Sequence, residues 1–496
     1  MNAHPVDHPA GGRPAEGPPG GDVRRPLHAV LLNGVGDAAR LLGPLARALD
    51  GTGPALLPVD ASLPAGQIRR LLDAFQPDVV ADADGEARIR SGSSGVAPDT
   101  AVIIGTSGST AEPKGVELSA AALTHSARAS LARTGARPAD RWLVCLPVSH
   151  VAGLQVLVRS IVGGTEPVIA AEATARAVRE AADAGCAHVS IVPTQLVRLL
   201  GEQDGTTALA RYRCVLVGGA AAGAGVLGEA RAAGVRAVTT YGMSETCGGC
   251  VYDGVPLDGV TVRAGADGRL RIFGPVLMNR YHGRPDLTAA ALVDGEFVTS
   301  DLGLVADGRV VIRGRADDVI NTGGHKVVPG EVAAALSDVP GIREVVVVGR
   351  PDPEWGERVT AVVVPADPAE PPALELLRKH VRARLPRYAC PSEVVLTEAI
   401  PVLPSGKPDL AALKGGKNVT PTGTNPGAER YLRVPPAKAG ETERGNSLSS
   451  GIVLSRVGVE LRIICARVQK EGGVSCRGSQ QPPRLTRRQA PRAWTT

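Results

Sequence analysis

The sequence predicts an α/β protein: a large N-terminal domain of mixed, largely parallel sheets and helices, then a small α+β C-terminal domain. Three observations lead there. Between residues 27 and 313, short Val/Ile/Leu runs alternate with stretches of helical periodicity, the pattern of parallel strands covered by helices. At 314–319 the chain turns charged, "GRADDV", and two long strand-like runs and one amphipathic helix follow. Both ends depart in composition from the middle: Pro and Gly crowd residues 1–26, and residues 416–496 are polar and basic. The division is a disordered lead at 1–26, a large domain at 27–314, a small domain at 315–415 and a disordered tail at 416–496.

The elements follow in order. "AVIIG" (101–105) is a strand that runs into a loop. "SAAALTHSARASLART" (119–134) is a helix, and the Ser119 hydroxyl suits its first orphan N–H groups. "RWLVCLPV" (141–148), "RCVLVGG" (213–219) and "VRAVTTYG" (235–242) are further strands, and "HVSIVP" (188–193) leads into the helical "TQLVRLL". Beyond the charged segment, "REVVVVGRPDPEWGERVTAVVVPA" (343–366) is two strands across a turn-rich connection, and "ALELLRKHVRARL" (373–385) is one amphipathic helix. In the tail, "GIVLSRVGVELRIICARV" (451–468) is apolar enough for local structure. There are no internal repeats.

Composition excludes several classes. No run of 18 uncharged apolar residues exists, and the best, "VAGLQVLVRSIVGG", is broken by Arg159, so no membrane span is expected. No cationic start precedes an apolar stretch, so no signal peptide is expected. Eight scattered cysteines fit reduced thiols in a cytoplasm. The net charge of +5 misleads. Residues 416–496 hold 14 Lys and Arg against 5 Glu, leaving 41 basic and 45 acidic residues ahead of them. The basic excess belongs to the tail and does not support nucleic-acid binding by the folded part.

The chemistry begins at "IIGTSGSTAEPKGVELS" (103–119). Its glycines let backbone N–H groups approach an anion, Thr106, Ser107, Ser109 and Thr110 add hydroxyl donors, and Lys114 adds a charge. Walker A spacing is absent, and a flexible linker is the plain alternative. Four more elements follow: "TTYGMSETCGG" (239–249), "TSDLG" (299–303), "RGRADDVINTGGHKVVPGEVAAAL" (313–336) and "PVLPSGKPDLAAL" (401–413). Taken singly, Asp301 reads as a solvated loop carboxylate, Lys407 as an exposed turn lysine and His150 as a satisfied core histidine. Cys247 and Cys250 have CxxC spacing without the second pair a zinc site wants, which leaves a redox pair or a glycine-rich wall.

In identity and order the five elements resemble the adenylate-forming superfamily of acyl-CoA synthetases, luciferases and adenylation domains. The resemblance implies a phosphate loop of Thr106, Ser107, Gly108, Ser109, Thr110 and Lys114. It implies that Tyr241 stacks on adenine, Ser244 touches phosphate, Glu245 holds Mg²⁺, and Asp301 and Arg315 serve the ribose. Gly219 resembles the loop between adenine and acyl group, and His150 lies near both pockets. Asp317 would be the hinge on which the small, mobile domain turns. Lys407 would enter for adenylation and the 321–326 loop for thioester formation. Many relatives carry Lys where this chain has Asn321, so Lys326 is the substitute expected for the second step. Residues 241–260 resemble the o-succinylbenzoate–CoA ligases of menaquinone biosynthesis, particularly the actinobacterial ones. ATP, Mg²⁺ and coenzyme A are the implied co-substrates. Gly242, Thr246 and Gly249 would line the acid pocket, and backbone amides, Thr246 or a protonated His150 would hold the carboxylate that is not activated. The reading admits a homodimer. The alternatives are a ligase or carrier-loading enzyme for another acid, and a nucleotide-binding regulatory protein.

Overall fold

Two seven-stranded sheets, parallel at their centres and antiparallel at both margins of the first and at one margin of the second, carry the N-terminal part of the chain. The computed structural model describes residues 24–82, 87–89, 95–107, 113–403, 406–415 and 431–433, with backbone alone for 87–89, Ser107 and 431–433. The chain separates into a unit Met1–Pro436 and a unit Ala437–Thr496, and all described residues belong to the first. The disordered lead and tail therefore fall almost wholly outside the described residues.

In the first sheet, Leu27–Leu32 pairs in parallel with Ala55–Asp60 and Val79–Ala81, and Ala55–Asp60 pairs in parallel with Thr100–Ser107. Pro113–Ser119 and Arg280–Tyr281 then add antiparallel. In the second, Arg141–Val144, Cys186–Ile191, Cys214–Val217 and Ala237–Met243 run parallel, and Gly248–Tyr252 returns antiparallel. One buried cluster joins both sheets to two helices: Val102 and Ile104, Val144 and Leu216, with Leu123 of Ala120–Arg133 and Leu154 and Leu157 of Val151–Gly163. Ser119 caps the first helix, accepting from the Ala122 N–H at 3.1 Å. Among the described residues no helix is long and apolar enough to cross a membrane.

A third sheet is wholly antiparallel, which alternation of strand and helix did not suggest: Thr261–Ala264, Arg269–Phe273, Glu296–Ala306, Leu292–Val293 and Arg309–Arg315. Two of its hairpins turn on Asp-Gly pairs with positive φ at both residues, Asp294-Gly295 (52°, 78°) and Asp307-Gly308 (50°, 72°). Those turns match the twist of antiparallel strands and leave no room for a crossover helix. The fourth sheet follows from Ile320 onward, with Ile342–Asp352 and Gly356–Pro365 as its long hairpin. Two buried clusters draw all their members from Ile320 to Leu413, whereas the other clusters stop at Val310.

Two short pieces lie inside segments read from sequence as disordered. Arg25 is 8% exposed and donates to the carbonyls of Ala48, Gly53 and Thr100. A guanidinium offers five donors, enough to tie three chain segments at once. Tyr431–Arg433 adds an antiparallel edge to Glu393–Leu396.

Candidate active site

The strands on either side of the glycine-rich segment are antiparallel partners. Thr106 pairs with Lys114 and Ser107 with Pro113 across the two strands, and the Thr106 hydroxyl donates to the Lys114 carbonyl at 3.2 Å. Gly108, Ser109, Thr110 and the Ser107 side chain lie outside the described residues. Lys114 is half-buried, with Nζ 6.0 Å from the centre of the Tyr281 ring. Tyr281 in turn donates its hydroxyl to Glu245 Oε1 at 2.9 Å. Burial, then the Glu245 charge, raise the Tyr281 phenol above its ordinary range, so it stays a donor. Glu245 itself sits in the short Ser244–Thr246 turn that joins two antiparallel strands, with half-buried Ser244 beside it.

A second carboxylate lies on the antiparallel sheet. Asp301 is 7% exposed; its Oδ2 accepts from the Tyr241 hydroxyl at 2.8 Å and its Oδ1 from Arg315 Nη1 at 3.2 Å. Asp301 and Arg315 are cross-strand partners, so the backbone register sets this pairing. Burial and the Asp301 charge hold the Tyr241 phenol protonated. Each Asp301 oxygen keeps a lone pair, enough for a vicinal diol. Arg315 also reaches Asp317 Oδ2 at 3.1 Å, linking this carboxylate to the segment expected to be the hinge.

The third group brings distant segments together. Leu403 N–H donates to the Lys407 carbonyl and Val402 bridges Pro408, so Lys407 flanks a tight turn, directly across from Leu403. Its Cε lies 4.0 Å from where a Cβ at Gly219 would be, and Gly219 has φ +85°. His150 caps the Val151–Gly163 helix, with Nδ1 3.3 Å from Ser149 Oγ. Burial, then the Lys407 charge, lower the His150 imidazole below its ordinary range, with Asp60 opposing. His150 is therefore neutral near pH 7.

Several expected residues stand elsewhere. Thr246 is fully buried, and its hydroxyl donates to the Gly248 carbonyl at 2.7 Å and accepts from the Met243 N–H at 3.0 Å. It is spent on the turn and offers an acid nothing. A Cβ at Gly242 would lie 1.9 Å from the Gly248 oxygen, and one at Gly249 would lie 3.1 Å from the Tyr252 ring. Their bareness serves backbone and ring packing, not room for a ligand. A protonated His150 is withdrawn as a carboxylate holder, because burial beside Lys407 disfavours its charge. Lys326 is exposed opposite Asn321 in the Ile320–Val327 hairpin and forms no hydrogen bond or ion pair with His150, Lys407 or Asp301 among the described residues. Cys247 and Cys250 are fully buried free thiols, and burial pushes Cys250 up to about 12, so neither is poised for redox chemistry. Among the described residues no three His, Cys, Asp or Glu side chains group as a metal site.

Sequence reasoning missed three residues. Tyr281 holds Glu245 from 36 positions away, with no local signal. Gln155 and Arg159 are 1% and 5% exposed on the Val151–Gly163 helix. Arg159 Nη1 donates to the Ser190 hydroxyl at 3.3 Å, its guanidinium lies 4.8 Å over the Trp142 ring, and its Nε has no partner among the described residues. Neither polar atom of the Gln155 amide has one. The signal was present: polar residues four apart in an otherwise apolar helix share one face.

A parallel-centred pair of sheets, a glycine-rich segment between antiparallel strands, two separately held carboxylates and a lysine delivered from the C-terminal part are features of enzymes that adenylate a substrate. The chain belongs to the AMP-binding enzyme family: the model of that family matches residues 54–272, and the model of its C-terminal domain matches residues 331–407. Among its relatives is a protein of Mycobacterium tuberculosis described as a probable 2-succinylbenzoate–CoA ligase, 41% identical over 390 residues, 76% of this chain and 95% of the relative. The 2-succinylbenzoate–CoA ligase of Bacillus velezensis is 31% identical over 68% of this chain and 72% of its own. The solved o-succinylbenzoate CoA synthetase (MenE) of Bacillus subtilis, in complex with the acyl-adenylate intermediate OSB-AMP, is 25% identical with a TM-score of 0.61, covering 79% of this chain and 89% of that one.

Proposed function

We propose that this AMP-forming acid–thiol ligase joins o-succinylbenzoate to coenzyme A. One carboxylate oxygen attacks the α-phosphorus of ATP, the bond to the β-phosphate oxygen breaks, and pyrophosphate leaves. The coenzyme A sulfur then attacks the carbonyl of the acyl-adenylate, the bond to AMP breaks, and the thiol proton passes to solvent. The observation that supports the first step best is Lys407 beside Gly219 and His150, a cation from the C-terminal part close to residues of the N-terminal part. Its ammonium offsets the charge that builds up as two anions meet.

Other groups take binding roles. Asp301 accepts from the ribose hydroxyls while Tyr241 and Arg315 orient it. The Tyr241 ring stacks on adenine, and Lys114 with the 106–110 backbone cradles phosphate. Neutral His150 donates or accepts but brings no charge to the acid. Glu245, a single carboxylate oriented by Tyr281, fits Mg²⁺, which keeps several waters and takes its other ligands from phosphate. That ion would neutralise phosphate charge when bound. For the second step the small domain turns at Asp317 and brings up the Asn321–Lys326 hairpin.

The acid is supported by the 41% identical relative and by Arg159. A buried guanidinium that meets only a hydroxyl and a ring retains most of its desolvation cost. A second carboxylate would offset it, and a fatty acid has none. The test is mass-spectrometric detection of the coenzyme A ester with purified protein, ATP, Mg²⁺ and a panel of acids. o-Succinylbenzoate should be the best substrate. Faster turnover of a long-chain or simple benzoic acid would overturn the substrate and leave the reaction class.

A further inference from the structure

We infer that Gln155 is a specificity-determining residue, whose side-chain amide and the Arg159 guanidinium together receive the oxygen function of the acid that is not activated. This rests on the diacid reading above. Position is the first support. Val151, Gln155 and Arg159 are spaced by four and share one face of the helix. That face meets Gly248: a Cβ there would lie 3.3 Å from Gln155 Cγ and 3.8 Å from Val151 Cγ2. Gly248 follows the Ser244–Thr246 turn and its cap Cys247, and the cap of the helix is His150 beside Lys407. The two polar side chains therefore lie along the helix that runs inward from His150. Gln155 is five residues along the helix from His150 and Arg159 nine, about 7.5 and 13.5 Å of axis. Helical side chains lean toward the N-terminus, so both reach back toward His150.

Unmet bonding is the second support. Gln155 is 1% exposed, and its Nε2 and Oε1 both lack partners among the described residues. The neighbouring Leu154, Val156, Leu157 and Val158 are buried and apolar, so a leucine at 155 would suit the fold better. Every buried amide needs at least one donor and one acceptor. Arg159 Nε, also without a partner, is a donor four residues away that can turn to Oε1. That leaves Nε2 as a donor toward an incoming oxygen. An aryl carboxylate or its adjacent ketone fits this pair: anionic or strongly accepting, flat, and held from one side.

The experiment compares kcat/KM for o-succinylbenzoate and for 4-oxo-4-phenylbutanoate, the same acid without the aryl carboxylate, in wild type, Gln155→Leu and Gln155→Glu. Thermal melting of the ligand-free proteins is followed alongside. The wild type should prefer the diacid. Gln155→Leu should lower that preference by about tenfold, mainly through KM, without a lower melting temperature. Gln155→Glu should lower it further, because a carboxylate takes Arg159 for itself and repels the second one. Equal preference in wild type and Gln155→Leu overturns the assignment of Gln155 alone. A wild type that prefers the monoacid overturns the substrate reading, and this inference with it. A Gln155→Leu protein that melts lower with unchanged preference would mark the amide as structural.

Discussion

Lys407→Ala should cripple the first half-reaction and spare the second. The lysine flanks a tight turn with Cε 4.0 Å from the Cβ position of Gly219, and its charge lowers the His150 imidazole. Removing a donor that acts on developing charge costs about 10²–10³-fold in rate, or about 2.7–4 kcal/mol. That loss should appear in acid-dependent ATP–pyrophosphate exchange. Conversion of preformed acyl-adenylate and coenzyme A should change by less than about tenfold, because in the proposed second step the small domain has turned and carried Lys407 away from the phosphate. A second readout tests the docking itself. With Lys407 gone, one of the two causes that lower His150 disappears, so its imidazole should titrate at higher pH in an NMR titration. Equal loss in both half-reactions would refute the assigned role. An unmoved His150 would show that Lys407 does not dock there in solution.

Three further outcomes follow from the geometry. Asp317→Pro, which fixes φ at the proposed hinge, two residues beyond Arg315, should spare pyrophosphate release and depress thioester formation; equal loss of both would count against a turning domain. His150 and His188 are both lowered, burial first, so between their folded values and the ordinary value near 6.5 the unfolded chain binds more protons. Their contribution to stability is complete above about pH 6.5 and is lost as pH falls, so His188→Gln should flatten the fall of melting temperature below pH 6.5, and an unchanged slope would contradict this. Ending the chain after Lys414 removes Tyr431–Arg433 from the edge of the buried Glu393–Leu396 strand and should lower the melting temperature, whereas ending it after Pro436 should not; equal melting of the two would show that the edge strand adds nothing.

Much of this was legible from sequence because it is local. The Val/Ile/Leu runs at 101–105, 188–191 and 214–217 became parallel strands, and Ser119 capped its helix. The motif around Tyr241 and Glu245 and the one around Asp301 announced two carboxylates, and cross-strand register brought Arg315 to Asp301. What was not legible depends on contacts that sequence order hides. The antiparallel third sheet was written in the Asp-Gly pairs at 294 and 307, but a strand-and-helix alternation reads past a two-residue turn. Thr246 looked like a pocket donor because a hydroxyl beside glycines suggests a ligand; only the folded turn shows the Gly248 carbonyl taking it. The glycines at 242 and 249 suggested an open wall, and their space is filled by a carbonyl and an aromatic ring. Arg159 was read only as the charge that breaks an apolar run. Its meaning appears once the helix is buried on all sides.

The account rests on the claim that ATP is cleaved between its α- and β-phosphates to make an acyl-adenylate of o-succinylbenzoate. The most direct measurement is the nucleotide product when o-succinylbenzoate and ATP are supplied with Mg²⁺ before coenzyme A is added, read by phosphorus NMR with mass spectrometry of the quenched enzyme. The account predicts pyrophosphate and o-succinylbenzoyl-AMP at this stage, then AMP and the coenzyme A ester once the thiol arrives. ADP and inorganic phosphate, or no acid-dependent cleavage of ATP, would contradict it.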